Sequence, residues 1–142
     1  MSVRVRTATP DDFVPVMRVL DGSLLDVEAT TVEERIDRGA VLVAVADGDT
    51  AGRVVGTLVL DTLEPHPAAP RPEEQAPETR HVEAVAVHRR HRSAGVGTAL
   101  VEAAAERCDY LTAEFREEVG PFYESLGFDV ERGNSGRCHG MR

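Results

Sequence analysis

The chain contains no lysine: all 16 of its basic residues are arginine, set against 25 acidic residues for a net charge of −9. That composition fits a GC-rich or a salt-adapted source. An acidic balance speaks against general nucleic-acid binding, which needs a basic footprint. It mildly favours cationic partners, because the summed field attracts opposite charge. Cysteine is scarce as well. Cys108 and Cys138 match no zinc spacing and no C-x-x-C motif, so neither a metal nor a disulfide is expected. Cys108 reads as a small core residue on a helix, and Cys138, in a polar tail, as an exposed thiol. No apolar run approaches the roughly 20 residues that a bilayer crossing requires. Met1-Ser2-Val3-Arg4-Val5-Arg6 lacks the apolar centre of a signal peptide, so a cytoplasmic protein without membrane attachment is expected.

What is present suits one domain over residues 1–142 with a real core, since 42% of the residues are apolar. Val3 to Ala8 alternates apolar and polar residues as a half-buried strand does. Thr9-Pro10-Asp11-Asp12 resembles a helix start. Phe13, Val16, Met17, Leu20 and Leu24 share one helical face, with Pro15 tolerated if it lies in the first turn. Thr31 to Arg38 reads as a second helix with a Thr31/Glu34 capping box and Gly39 at its end. Ala40 to Ala46 is a continuous apolar run, as in a strand buried on both faces. A turn at Asp47-Gly48-Asp49 leads to a return strand over Arg53 to Leu63. Residues 64–79 hold five of the eight prolines and predict a mobile loop. His81 to Val87 is a strand, Val96 to Cys108 a helix, Leu111 to Phe115 a strand, and Val119 to Leu126 a short helix stopped by Gly127. A last strand starts at Phe128 to Val130. The order β-α-α-β-β-β-α-β-α-β predicts a mixed α/β (α+β) domain.

The densest signal lies between Val82 and Leu100. An apolar strand enters a basic elbow, His88-Arg89-Arg90-His91-Arg92, then a glycine turn, then an amphipathic helix. Glycines let the backbone approach a phosphate closely, and the first N–H groups of a helix have no acceptors within it. Arg92, Gly95 and Gly97 spell R-x-x-G-x-G, which points to a pyrophosphate-bearing ligand. The basic run could steer or contact such an anion. A dinucleotide fold is disfavoured because G-x-G-x-x-G is absent.

A second block, Phe122-Tyr123-Glu124-Ser125-Leu126-Gly127-Phe128, follows about 25 residues later. With Val85-Ala86-Val87 and Arg92 to Gly97, it makes the chain resemble the GNAT superfamily of acetyl-CoA-dependent N-acetyltransferases over nearly its whole length. The resemblance implies a mostly antiparallel central sheet flanked by helices. It implies acetyl-CoA as cosubstrate, with the pyrophosphate on the turn Ser93, Ala94, Gly95, Val96, Gly97, Thr98 and Arg92 beside it. The pantetheine arm would lie along the backbone of Val85, Ala86 and Val87, where two parallel strands splay apart. Tyr123 stands where the family places the acid that protonates the departing thiolate. Glu83 and His81, two apart on one strand and so on one face, are candidates for the base that deprotonates the amine, with Val82 and Ala84 facing the other way. Arg116 stands where many members carry an asparagine, seven residues before the tyrosine. The acceptor is expected to be a primary amine, and the acidic balance favours a cationic one. A CoA-binding module without turnover is the competing expectation. Monomer and homodimer both remain open.

Overall fold

The computed structural model describes residues 3–22, 27–46, 53–61, 79–88, 95–108, 110–133 and 136–142. The apolar run after Gly39 forms strand β2 (Val41–Ala46), in which five of six residues are fully buried. It lies between β1 (Val3–Thr7) and β3 (Val54–Asp61), both antiparallel to it. β4 (Thr79–Val87), β5 (Tyr110–Arg116), β6 (Asp129–Arg132) and β7 (Arg137–Met141) complete a seven-stranded sheet of order β1-β2-β3-β4-β5-β7-β6. Every neighbouring pair is antiparallel except β4 and β5.

Helices α1 (Phe13–Gly22) and α2 (Ala29–Asp37) cover one face of the sheet. α3 (Val96–Glu106) and α4 (Gly120–Ser125) cover the other. Each face has its own apolar cluster. Val16, Val19, Leu20, Val32 and Ile36 meet Val41, Val43, Val45, Val59, Ala84 and Ala86 on the first. Val96, Leu100, Val101 and Ala104 meet Leu42, Ala44, Leu58, Val82 and Leu111 on the second. Pro15 is the third residue of α1, within the first turn, where its missing N–H costs no helical bond. A 3-10 turn at Pro10–Asp12 precedes it, and Asp12 accepts the Thr9 N–H at 2.8 Å.

The structure departs from the sequence expectations in several places. α2 begins at Ala29 with Glu28 as its extended cap, so Thr31 lies inside the first turn and the Thr31/Glu34 box does not form. Docking of Val32 and Ile36 on the sheet carries the helix past the local start signal. Gly39, at φ +71°, ends it as expected. The glycine-rich tail forms β7, which inserts between β5 and β6. Cys138 lies opposite Phe115 on that strand and is buried, not exposed. β3 ends at Asp61 and β4 already includes Thr79. The rest of the loop expected over 64–79, the turn at Asp47-Gly48-Asp49 and Leu24 lie outside the described residues.

Candidate active site

β4 pairs in parallel with β5 over only four rungs, Thr79↔Tyr110 to Val82↔Ala113. β4 then runs on to Val87 and β5 to Arg116 with no further rung between them among the described residues. The last rung coincides with a bulge. On the β3 side, Val59 faces Ala84 while Leu60 faces Val82, so β4 carries Glu83 as an extra residue. The bulge resets the alternation along β4. Val82 packs in the cluster beneath α3, whereas Ala84 and Ala86 pack beneath α1 and α2. Ala84 therefore shares a face with Glu83, contrary to the simple period-two expectation.

Glu83 turns toward α2. Its Oε2 accepts from Nε of Arg35 at 3.3 Å, and the Arg35 side chain is only 9% exposed against 33% for Glu83. His81 lies on the same side, with Nδ1 2.8 Å from Oγ1 of Thr112, its partner on the same rung of β5. Neither Arg35 nor Thr112 stood out in the sequence. Arg35 lies on the Val32/Ile36 face of α2, so an arginine in an apolar stripe was the one available signal. The Thr112 contact depends on strand register, which the sequence does not encode locally.

At the far end of β4, the described chain resumes at Gly95, the cap of α3, with φ +81° in the left-handed region. The first helical bond runs from Ala99 N–H to the Gly95 carbonyl at 3.0 Å. The N–H groups of Val96, Gly97 and Thr98 therefore precede the helix's own ladder and form its anion-favouring end. This end is held close to the sheet. A Cβ on Gly56 of β3 would come within 2.7 Å of Val96 Cγ1, and one on Gly97 would lie 3.4 Å from Phe122 and 3.8 Å from Val87. The start of α3, the end of β4 and the start of α4 thus converge. Val85 and Val87 are half-buried and Ala86 is buried. Arg92, Ser93 and Ala94 lie outside the described residues, as do Arg89, Arg90 and His91.

Tyr123 of α4 is 6% exposed. Its ring stacks on Phe115 of β5 at 4.1 Å and meets Phe122 and Phe128 edge-on. Burial pushes its phenol up to about 12, so the O–H is retained well above neutral pH. Arg116 is exposed at the end of β5 and caps the 3-10 turn Glu117–Val119. Among the described residues, no group of three or more His, Cys, Asp or Glu side chains is arranged to hold a metal ion. No described helix is long and apolar enough to cross a membrane.

The same fold occurs in solved structures. PaiA N-acetyltransferase from Thermoplasma acidophilum, determined in complex with coenzyme A, superposes with a TM-score of 0.76 at 14% identity, covering 100% of this chain and 99% of that one. Ard1 from Thermoplasma volcanium gives 0.72 at 21% identity, covering 99% and 96%. A GNAT-family protein from Desulfovibrio desulfuricans gives 0.68 at 23% identity, again covering 99% and 96%. At these identities the likeness is one of fold. No curated protein matches the chain. The family model of the acetyltransferase (GNAT) domain matches residues 37–130, from the end of α2 to β6. That span contains the bulged strand, the glycine cap and the aromatic block. By its fold and by that match, the chain belongs to the GNAT acetyltransferase family.

Proposed function

We propose that the chain is an N-acetyltransferase that moves the acetyl group of acetyl-CoA to a primary amine of a small molecule or protein by direct attack. Membership of the GNAT family carries acyl transfer from coenzyme A in general. The finer reading is supported by one observation above all: the strands part immediately after Val82, and the gap ends against the amide-rich start of α3. In this reading the turn around Gly95, with Val96, Gly97 and Thr98, takes the pyrophosphate of the cosubstrate, and Arg92, Ser93 and Ala94 extend that cradle. Backbone groups of Val85, Ala86 and Val87 hold the pantetheine arm. An N–H near Val87 supports the developing oxyanion.

The amine lone pair forms a bond to the thioester carbon, and the carbon–sulfur bond then breaks. Tyr123 donates its proton to the departing thiolate. A phenol of high pKa is a modest acid, but a positioned donor still lowers the barrier. Glu83 or His81 takes the proton that the amine must lose. The net charge of −9 and the carboxylate of Glu83 favour a cationic acceptor.

A second reading is a CoA-binding module without turnover. It draws on the packing of Tyr123 among three phenylalanines, which a purely structural residue would share. A thiol-release screen of amines with acetyl-CoA as donor separates the two. Amine-dependent release with a mass gain of one acetyl group on the acceptor is the expected result. Coenzyme A binding by calorimetry without any release establishes the module instead.

A further inference from the structure

The two candidate proton acceptors have different surroundings. The Glu83 carboxylate is engaged by Nε of Arg35, whose side chain is nine-tenths buried. His81 has a different partner. Its Nδ1 lies 2.8 Å from Thr112 Oγ1, and that hydroxyl in turn donates to the Arg80 carbonyl at 3.4 Å. A carbonyl can only accept, and a hydroxyl has a single proton. Once that proton is directed to Arg80, the oxygen lone pairs remain to receive an N–H from His81. Both contacts then form, whereas a hydroxyl turned toward Nδ1 gives up the bond to Arg80. The geometry is set by paired backbone: His81 and Thr112 occupy one rung, next to the last rung before the strands part.

We propose that Thr112 is a positioning residue that holds neutral His81 in its Nδ1–H form, which makes His81 Nε2, rather than the Arg35-bound carboxylate of Glu83, the atom that takes the amine's proton. This inference rests on the N-acetyltransfer reading above. In the step, an N–H bond of the acceptor breaks and an Nε2–H bond forms. The resulting imidazolium keeps its Nδ1–H on Thr112.

The test uses the full chain labelled with nitrogen-15. Long-range proton–nitrogen correlation reads which ring nitrogen carries the proton, with His81 assigned through His81→Gln. The wild-type chain and Thr112→Ser should show Nδ1 protonated. Thr112→Val, close in shape to threonine, should show a mixture weighted to Nε2–H and lose kcat several-fold, in proportion to the missing Nδ1–H fraction, with little change in KM for acetyl-CoA. An Nε2–H tautomer in the wild-type chain, which needs no variant, overturns the role of Thr112. An unchanged tautomer and turnover in a folded Thr112→Val does the same. If amines are acetylated and His81→Gln is as active as the wild type, the assignment of Nε2 fails while acetyl transfer stands. Absence of all amine-dependent thiol release overturns the parent reading, and the catalytic part of this one with it.

Discussion

The two halves of the sheet are built differently. In β2 and β3 nearly every described residue is buried, because α1 and α2 press on one face and α3 on the other. In β5 and β7 burial alternates. Leu111, Ala113, Phe115 and Cys138 are buried on the α4 side, while Tyr110, Glu114, Arg116, His139 and Met141 are exposed on the other. β4 is the seam. His81 and Glu83 stand where cover on one face runs out, so their polar atoms reach solvent while Thr112 and Arg35 fix their direction. The difference shows why polar side chains can be both held and solvated there. A fully covered sheet would strip charged side chains of water at a large cost, and a bare one would leave them unheld.

The sharpest break in this arrangement is at the start of α3. Gly95→Asp puts a negative charge where the ligand's pyrophosphate would sit. A Cβ there meets no described atom within 4 Å, the left-handed φ of +81° costs the variant about 1–2 kcal/mol, and circular dichroism checks that it folds. Calorimetry should find coenzyme A binding lost. The two halves can next be compared directly. Leu100 is fully buried on the inner face of α3, and Met141 is half exposed on the open face. Leu100→Ala should cost about 2–5 kcal/mol in denaturant unfolding, and Met141→Ala less than about 0.5 kcal/mol. Equal losses would erase the distinction between the halves.

Tyr123→Phe removes one hydroxyl from the aromatic cluster. In steady-state assays it should slow acetyl transfer by at least about tenfold, or about 1.4 kcal/mol, with the affinity for coenzyme A unchanged. Unaltered turnover would leave Tyr123 as packing alone. A small effect belongs to the outer edge of the covered half, where Arg6 holds Asp12 at 2.7 and 2.9 Å. Hydrogen bonding from Arg6 keeps the Asp12 carboxyl below its ordinary range. Its contribution is therefore present above the unfolded value of about 3.9 and fades as pH falls through the lower folded value. Arg6 is 45% exposed, so the contribution is less than about 1 kcal/mol. Asp12→Asn should flatten the acid limb of the stability–pH curve by that amount.

Much of this was legible in the residues, and the misses share a cause. The continuous apolar run of β2, the helical stripe Val16/Leu20 and the glycine cap of α3 each state their environment locally. The aromatic block around Tyr123 is compact in sequence and remains so in space. The strand β7 was illegible because Arg137-Cys138-His139-Gly140-Met141 has a weak pattern and pairs out of order. The bulge at Glu83 was hidden for a related reason: an extra residue becomes visible only against the partner strand. Arg35 and Thr112 depend on both, since they reach Glu83 and His81 only through helix docking and parallel register.

The central claim is that main-chain amides at the start of α3 grip the diphosphate of a thioester carrier beside the parted strands. Backbone amide spectra of the labelled chain, recorded during titration with coenzyme A, test it most directly. Saturable shifts are expected at Val96, Gly97 and Thr98, together with Val85 to Val87. Saturable binding that leaves these amides unmoved, or no binding at all, would contradict it.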